Sequence, residues 1–477
     1  MMMARRYHFQ QRRSLATVVE RLLAEPLIHP QSIDIAVEER ARRRHVFFSG
    51  LQKECKLDSD IFVHVAGTKG KGSVCELVRS GLMSAGFRVG TFTSPHLHSV
   101  RERIRLGKDG IATSDLNRLG AEALERIEAV DKNYDANGTG WGAVFFDRLL
   151  ATALLYFGEK KVDAVVMEAG IGGLYDSTNF LGSHAVGVVT SISRDHTAML
   201  GDTLGEIAAH KAGIARKDKI LLTPGLQNSE ALRVIKRDSR KLGARLEEVV
   251  PEAGRVASTS RRTAAENEGL ATRACRIFFE SKGRNMTPDF SDAKWPARFE
   301  SLFVKGRLLL VDSAHNGDSV KRLFAEAAST FRAYDGVSFK GYRWRVIFGC
   351  GREKEGRDDM LQALVDASES IASITFVEAG IDRGPLPPQK GPTSASVLAS
   401  DLEGKKLSEK PFPKRISLPM PSTRAALDQA LFLEDNDSDG TLVCGSVYIA
   451  AEAREWALQT DPTCLPDDDW ARLATQQ

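Results

Sequence analysis

The sequence predicts an α/β protein with mostly parallel sheets and two domains. Short apolar runs alternate with helical patterns along the chain, which is typical of repeated strand–helix units. Residues 283–294 interrupt this alternation with Gly, Asn, Pro, Asp and Ser and few apolar side chains. We therefore expect a linker there and a boundary near residue 290, with one domain over 1–290 and a smaller one over 291–477.

Apolar runs of strand length predict the strands of both domains. They lie at 62–66, 89–93, 164–167, 186–191 and 220–223, and then at 307–311, 344–349, 374–377 and 441–444. The clearest helix covers 203–212, because Thr203 and Glu206 have capping-box spacing and Gly213 can end the helix. Residues 230–282 are charged and mostly helical in pattern.

The composition excludes several classes of partner. Of 477 residues, 42% are hydrophobic and 27% charged, which is ordinary for a globular enzyme. The net charge of +3 is too small to indicate nucleic-acid binding, and no apolar run approaches the ~20 residues that span a bilayer. Six cysteines without paired or metal-type spacing favour a reducing compartment. We expect a cytoplasmic protein with no nucleic-acid or membrane partner.

The N-terminus leaves a mitochondrial location open. Residues 1–19 contain four arginines, and no acidic residue precedes Glu20. An arginine-rich, acid-poor leader is typical of an organelle transit peptide. The alternative is a basic tail on an ordinary first helix, because the leader is short and lacks a clear apolar face before Leu15.

The glycine-rich stretch 67–73, Gly-Thr-Lys-Gly-Lys-Gly-Ser, is the strongest indication of a binding site. It follows a predicted strand and precedes a helical pattern, so its amides would meet a ligand at a helix N-terminus. Glycines let a phosphate approach the backbone, and a lysine neutralises its charge. The spacing departs from the general phosphate-loop rule, and a glycine-rich turn with two solvated lysines is the alternative. We expect nucleotide phosphate to bind Gly70, Lys71, Gly72 and Ser73.

Glu168 and His196 each follow a predicted strand of the first domain. The carboxyl ends of parallel strands are where α/β folds place metal and substrate ligands, and the glycines after Glu168 would let a ligand approach. A solvated glutamate and a hydrogen-bonded structural histidine are the alternatives. Both residues are therefore candidate ligands.

Three more charged residues are candidates on weaker grounds. The planar guanidinium of Arg298 suits phosphate, and Asp312, directly after the predicted strand 307–311, suits a ribose or a backbone contact. Lys211 lies in the last turn of a predicted helix, where a cation is favourable and is usually just solvated.

A series of motifs then points to a family. They are the glycine-rich stretch, Thr-Ser-Pro-His-Leu at 93–97, Val-Arg-Glu-Arg-Ile-Arg at 100–105, Glu-Ala-Gly-Ile-Gly-Gly-Leu-Tyr-Asp-Ser-Thr-Asn at 168–179, Asp-His at 195–196 with Leu-Gly-Asp-Thr at 200–203, Lys-Ala-Gly-Ile at 211–214, Trp-Pro-Ala-Arg-Phe at 295–299 and Asp-Ser-Ala-His-Asn at 312–316. In this order they resemble the folylpolyglutamate synthase/dihydrofolate synthase family of the Mur-ligase superfamily. Within that family, the residues of the motifs are similar to those of the eukaryotic folylpolyglutamate synthases. The resemblance implies a P-loop NTPase-like N-terminal domain and a smaller Rossmann-like C-terminal domain.

The resemblance also implies roles for individual residues. Lys211 would be carbamylated and help to organise the second of two magnesium ions, and His315 would lie near the acceptor amino acid. The general phosphate-loop rule would place the hydroxyl of Ser73 on the metal, but the resemblance implies Ser94 in that role, so we assign Ser73 to phosphate and Ser94 to the metal. The implied magnesium ligands are Ser94, Glu168 and His196, and the implied remainder of the ATP site is Asn267, Arg298 and Asp312.

Some residues depart from the family pattern. Ala297 and Ser313 stand where glycines are usual, and Arg194 stands where an apolar residue is common. The segment before Asn267 is short and lacks a usual histidine–glutamine pair, which weakens the assignment of Asn267 most.

The activity that the resemblance implies is ATP-dependent amide ligation. L-Glutamate would be joined to the γ-carboxylate of a tetrahydrofolate through an acyl phosphate, as in folate biosynthesis and one-carbon metabolism. ATP and Mg²⁺ would be the cofactors, folate and L-glutamate the substrates, and the chain a monomer. Two alternatives stay open: a dihydrofolate synthase that acts on dihydropteroate, and a regulatory nucleotide-binding module without ligase activity.

Overall fold

The computed structural model describes residues 18, 21–22, 37–134, 142–250, 259–334, 339–351, 354–378, 393–405, 415–416, 419–432 and 438–475. The four arginines of the predicted leader lie outside these residues. The chain divides into two compact units. The N-terminal unit takes the described residues of Met1–His96, Val100–Glu252 and Ala265–Lys294, and the C-terminal unit takes those of Leu97–Ser99, Ala253–Ala264 and Trp295–Gln477.

The strands form two large sheets and one small one. In chain order they are β1 Phe62–Ala66, β2 Val89–Phe92, β3 Ile104–Leu106, β4 Asp109–Gly110, β5 Ala164–Glu168, β6 Val186–Val189, β7 Ile220–Pro224, β8 Arg245–Val249, β9 Glu300–Val304, β10 Arg307–Val311, β11 Arg332–Tyr334, β12 Phe339–Gly341, β13 Trp344–Phe348, β14 Ile371–Phe376, β15 Arg415–Ile416 and β16 Gly440–Cys444.

The described helices of more than three residues, 3-10 turns aside, alternate with these strands. They are α1 Val37–Glu54, α2 Lys71–Ser84, α3 Thr113–Tyr134, α4 Phe145–Glu159, α5 Thr197–Leu200, α6 Leu204–Ala212, α7 Ser229–Lys241, α8 Thr259–Ser281, α9 Gly317–Thr330, α10 Lys354–Asp366, α11 Ala395–Lys405, α12 Thr423–Phe432, α13 Val447–Thr460 and α14 Trp470–Thr475. Among the described residues, none of these helices is both long and apolar enough to cross a bilayer.

The eight-stranded sheet of the N-terminal unit has the order β4-β3-β2-β5-β1-β6-β7-β8. It is parallel from β2 to β8, whereas β3 and β4 add an antiparallel edge. Every residue of β1 is buried, because its neighbours are strands and both sheet faces are covered: Phe62 packs in one hydrophobic cluster, and Val63 and Val65 pack in another. β1 therefore ends in the middle of the sheet, between β5 and β6.

The six-stranded sheet of the C-terminal unit has the order β15-β14-β13-β16-β10-β9. All neighbours are parallel except β9, which pairs antiparallel with β10 at the edge. Alternate residues of β13 again serve two clusters, since Val346 and Phe348 pack on one face and Ile347 packs on the other. Both units confirm the predicted α/β class with mostly parallel sheets.

Two strands were not predicted. Residues 230–282 are mostly helical, as predicted, through α7 and α8, but Arg245–Val249 between them form the edge strand β8. β9 was also missed, because its buried Leu302 and Val304 alternate with exposed neighbours and give no continuous apolar run.

The linker predicted at 283–294 packs against α2 of the N-terminal unit. Ser80 donates a hydrogen bond to the carbonyl of Asp289 at 3.3 Å, and Arg79 donates to the carbonyl of Asp292 at 3.1 Å. A Cβ on Gly81 would lie 2.8 Å from side-chain atoms of both Pro288 and Phe290. The segment 283–294, despite its low apolar content, is therefore bound to α2 through hydrogen bonds to its backbone and is not a free linker.

All six cysteines are free thiols. Four are buried, two in each unit: Cys75 and Cys275, then Cys350 and Cys444. Burial raises the pKa of each of these four thiols, that of Cys350 to about 12.

Candidate functional site

The glycine-rich loop connects β1 to α2, as predicted. Gly67 and Gly70 have φ of 144° and 87°, a region that favours glycine. The loop lies close to its neighbours: a Cβ on Gly67 would overlap Oγ1 of Thr190, and one on Gly70 would overlap Oδ1 of Asn267. The amides of Thr68 and Lys69 donate to the carbonyl of Ser191 at 3.0 and 3.2 Å.

The loop ends at the N-terminus of α2. Gly70 is the N-cap, and Lys71, Gly72 and Ser73 form the first turn. Amides in the first turn of a helix have no partner within the helix, and the helix dipole favours an anion there. The structure thus places the predicted phosphate-binding residues in an anion-binding geometry, with Asn267 directly beside Gly70.

Lys211 is not a solvated lysine. It lies in the last turn of α6, whose capping box between Thr203 and Glu206 is confirmed. Its side chain is 3% exposed, and Nζ donates to the carbonyl of Gly67 at 2.9 Å. Burial, together with the nearby charge of Lys71, lowers the pKa of Lys211 to about 7. A large share of Lys211 is therefore a neutral amine at neutral pH.

Glu168 and Ser94 are in contact. Glu168 is the last residue of β5 and is 2% exposed, and its Oε2 accepts the amide N–H of Ser94 at 3.0 Å. Because β2, β5 and β1 are adjacent and parallel, the residues after them meet at one edge of the sheet. A buried carboxylate beside a hydroxyl provides the hard oxygen ligands that Mg²⁺ prefers.

His196 lies after β6 as the N-cap of α5, in the left-handed region with φ 53°. Its side chain is 46% exposed, and Nε2 lies 3.9 Å from Oδ1 of Asp195. Asp195 also approaches the loop, with Oδ2 at 3.7 Å from Nζ of Lys69. In the part of the chain that the structure describes, no three His, Cys, Asp or Glu side chains are grouped as a metal site. The magnesium set with His196 therefore stays a prediction.

The loop after Glu168 is held by a residue that the sequence did not single out. His64 of β1 is fully buried, and its Nε2 lies 2.8 Å from Oγ1 of Thr178. That hydroxyl donates to Asp176 at 2.6 Å, and Asp176 also accepts the amides of Ile171 and Thr178. Burial raises the pKa of Asp176 and lowers that of His64. The only available signal was a polar residue inside an otherwise apolar strand.

A cavity of about 250 Å³ opens between this loop and α1. Tyr175, Asp176 and Asn179 line it from the loop, and Glu38 and Arg44 line it from the helix. No functional role was predicted for α1 from the sequence.

In the C-terminal unit, Asp312 makes the backbone contact that was one of its two predicted uses. Oδ2 accepts the amide of Phe299 and Oδ1 accepts the amide of Ala314, both at 2.7 Å. His315 is exposed, and its Nδ1 donates to the carbonyl of Ser313 at 2.9 Å. Both residues therefore lie at the carboxyl end of β10, just before α9.

Arg298 lies in a strained turn. It is exposed, and its neighbours Ala297 and Phe299 are in the left-handed region with φ of 55° and 48°. Where the family pattern has glycine, Ala297 adopts the conformation that favours glycine. Oε2 of Glu300 accepts the Ala297 amide at 2.7 Å, and Nε of Arg454 donates to the same oxygen at 2.8 Å. Sequence reasoning missed Glu300 and Arg454, because they are distant from each other in the chain and match no motif.

Comparisons with known proteins identify relatives of the chain. No protein-family model matches the chain. It is 32% identical over 433 residues to a probable bifunctional folylpolyglutamate synthase/dihydropteroate synthase of Haloferax volcanii, which covers 82% of the chain. It is 28% identical over 425 residues to a dihydrofolate synthase/folylpolyglutamate synthase of Bacillus subtilis, which covers 82% of the chain and 89% of that protein.

Solved structures share the fold. The folylpolyglutamate synthase of Mycobacterium tuberculosis complexed with ADP and AMPPCP superposes with a TM-score of 0.75 at 24% identity, over 93% of this chain and 98% of that one. Several curated relatives are longer than the matched region. The chain spans 46% of the Haloferax volcanii protein and 57% of a probable folylpolyglutamate synthase of Schizosaccharomyces pombe.

Proposed function

Because the chain belongs to the folylpolyglutamate synthase/dihydrofolate synthase family, we propose that it is an ATP-dependent ligase that adds L-glutamate to the γ-carboxylate of a folate. One observation carries the proposal. At one edge of the N-terminal sheet lie a glycine-rich loop that ends at a helix N-terminus, a buried carboxylate and a buried amine that donates to the loop, at Gly70–Ser73, Glu168 and Lys211.

The phosphate-binding part of the reaction belongs to the loop. Lys71 and the first-turn amides of α2 bind the β- and γ-phosphates of ATP, and Ser73 adds a hydroxyl. The folate γ-carboxylate attacks the γ-phosphorus, giving an acyl phosphate and ADP. The amine of glutamate then displaces phosphate and forms the amide bond. Positioning and charge neutralisation dominate such a transfer, so the fixed backbone of the loop matters more than any proton transfer.

Glu168 and Ser94 are the residues that would hold magnesium, with His196 as the third ligand. A bound Mg²⁺ would neutralise charge on the transferring phosphate. The carboxylate of Glu168 accepts the Ser94 amide, which holds the two residues next to each other.

Lys211 would supply a carboxylate after carbamylation. Carbamate formation requires a neutral amine that attacks carbon dioxide, and the lowered pKa of Lys211 provides that amine near pH 7. The modification would place an anion at Lys211, beside the loop, where Lys69 and Lys71 can neutralise it.

The remaining assignments concern the nucleotide and the acceptor. Asn267 would contact the nucleotide from beside Gly70, and the guanidinium of Arg298 would bind phosphate oxygens. Asp312 fixes the backbone at Phe299 and Ala314, and the imidazole of His315 would lie near the acceptor amino acid.

A direct assay tests the activity. Purified chain is incubated with ATP, Mg²⁺ and labelled L-glutamate, with tetrahydrofolate and dihydropteroate compared as acceptors. We expect ADP release to require a reduced folate and glutamate together, with products that carry additional glutamates. The Bacillus subtilis relative is named for both activities, so efficient use of dihydropteroate without chain extension would assign dihydrofolate synthase. ATP binding without turnover on either acceptor would assign a regulatory module.

Two variants test the metal site. Glu168→Gln and His196→Ala are expected to lose activity and to recover in part at high Mg²⁺, since both residues hold metal rather than transfer protons. An unchanged magnesium dependence in both variants would refute the ligand set. The monomeric state and the compartment remain predictions, which light scattering and cell fractionation would check.

A further inference from the structure

Arg298 is presented by a turn whose conformation its own residues do not favour. Ala297 and Phe299, on either side of it, both have positive φ. A residue with a Cβ pays roughly 1 kcal/mol to occupy this region. The turn therefore needs contacts from outside to remain in one conformation, and the direction of the Arg298 side chain depends on them.

Three hydrogen bonds provide those contacts. The amide of Ala297 donates to Oε2 of Glu300, and the amide of Phe299 donates to Oδ2 of Asp312, both at 2.7 Å. The carbonyl of Ala297 accepts the amide of Ser313 at 2.9 Å. The backbone is thus fixed immediately before and immediately after Arg298.

Glu300 is itself held by a fully buried guanidinium. Arg454 of α13 donates from Nε to Oε2 of Glu300 at 2.8 Å and from Nη2 to Oε1 at 3.2 Å. Its Nη2 also donates to Oδ2 of Asp469 at 2.5 Å, and its Nη1 lies 2.7 Å from Nε2 of His98. Because arginine only donates, that histidine nitrogen is an acceptor, and Nδ1 donates to Glu455 at 2.8 Å.

These contacts hold the Glu300 carboxylate in a single orientation. A bidentate arginine on one side and a backbone amide on the other fix both oxygens. We propose that Glu300 is a positioning residue, which sets the direction of Arg298 through the Ala297 amide and is held in place by Arg454. This inference rests on the proposed function, in which Arg298 binds ATP phosphate.

Asp469 offers a matched control. Like Glu300, it accepts from both Arg454 and a backbone amide: Oδ2 accepts from Nη2 of Arg454, and Oδ1 accepts the amide of Ala471 at 2.8 Å. Unlike Glu300, it accepts the amide of a residue outside the turn 297–299. Glu300→Gln and Asp469→Asn each introduce an NH₂ group beside a donor, so both should lower the melting temperature by similar amounts. Where Glu300→Gln does not fold, Glu300→Asp keeps the charge but shortens the reach.

The readouts are kcat/KM for ATP in glutamate ligation and the Kd for a non-hydrolysable ATP analogue. We expect Glu300→Gln to worsen both roughly tenfold and Asp469→Asn to change each less than twofold, because only the first releases the turn. In an Arg298→Ala background, Glu300→Gln should have no further effect, since it acts through that arginine.

Equal effects of the two variants, or a Glu300→Gln effect that persists without Arg298, would overturn the inference. The proposed function fails separately. If the wild-type chain makes no glutamylated folate, that function is wrong, and analogue binding still decides the role of Glu300. If Arg298→Ala leaves analogue binding intact, Arg298 has no phosphate role, and the positioning inference fails with it.

Discussion

The two loops that present cations in this protein are held in different ways. Before Lys71, positive φ angles fall on Gly67 and Gly70, which adopt them without strain. Around Arg298, positive φ angles fall on Ala297 and Phe299, which do not. The glycines of the first loop allow its conformation, whereas the second is held by hydrogen bonds to the carboxylates of Glu300 and Asp312. Two loops that both present a cation can therefore differ in how well the sequence predicts them: glycines indicate the first, whereas no glycine marks the second.

The largest expected effects come from removing each of the two cations, Lys71 and Arg298. Lys71→Ala should lower kcat/KM for ATP by about 10³-fold, because it removes a charge placed beside the phosphates by a rigid loop. Arg298→Ala should lower it by about 10²-fold, because its turn leaves the side chain exposed. Steady-state kinetics on both variants, with circular dichroism to verify folding, checks the order. A folded Lys71→Ala variant with normal turnover would remove the nucleotide assignment.

Glycine substitutions test local encoding. Gly70→Ala should weaken ATP binding by about tenfold or more, because the added Cβ strains φ and displaces Asn267. Gly86→Ala is the control: its φ is 81°, but a Cβ there meets nothing within 4 Å. We expect Gly86→Ala to cost about 1 kcal/mol of unfolding free energy without changing ATP affinity. Calorimetric titration of both variants would contradict the prediction if it gave equal affinities.

The scaffold of the glycine loop should be sensitive to acid. His184 donates from Nε2 to the carbonyl of Ile214 at 3.0 Å, and burial lowers its pKa to about 4. Between pH 6.5 and 4 the unfolded chain binds a proton that folded His184 does not, so its contribution to stability is lost as pH falls. The loss at pH 5 is about 2 kcal/mol.

His184→Gln keeps an N–H donor but cannot titrate. Urea unfolding of the variant should show a smaller loss of stability between pH 7 and pH 5 than the wild type. An identical pH dependence in the two proteins would mean that His184 is not buried as a neutral side chain.

The smallest expected effect concerns Ala297, in the turn that presents Arg298. Ala297→Gly should raise the unfolding free energy by at most about 1 kcal/mol, because glycine relieves positive φ but gains entropy in the unfolded chain. Denaturant titration would check this value. A loss of more than 1 kcal/mol would show that the alanine methyl, which is fully buried, contributes more than the strain costs.

The sequence predicted well what is encoded locally. Strands β1 and β10 were predicted residue for residue, because each is a short, mostly apolar run whose last three residues are buried. The capping box of α6 was predicted because both of its residues lie within four positions. The glycine loop belongs to the same class.

Features that depend on distant partners could not be predicted. The buried state of Lys211 requires the carbonyl of Gly67, which lies on another strand–helix unit. Arg454 meets Glu300 only because α13 packs near β9. In the sequence, His64 is only a polar residue inside an apolar strand, and its partner Thr178 is known only from the structure. No motif records such pairs, because the fold alone brings them together.

The free cysteines have a practical consequence. A thiol reagent reaches a buried cysteine only when the surrounding structure opens, and each unit carries its own buried pair. Cys55 and Cys464 are half-buried and should react first. The later reaction of Cys75 and Cys275 would then time the opening of the nucleotide-binding unit, and that of Cys350 and Cys444 the opening of its neighbour in sequence. Mass spectrometry of the reacted native cysteines would therefore report the local unfolding of each unit, without an engineered labelling site.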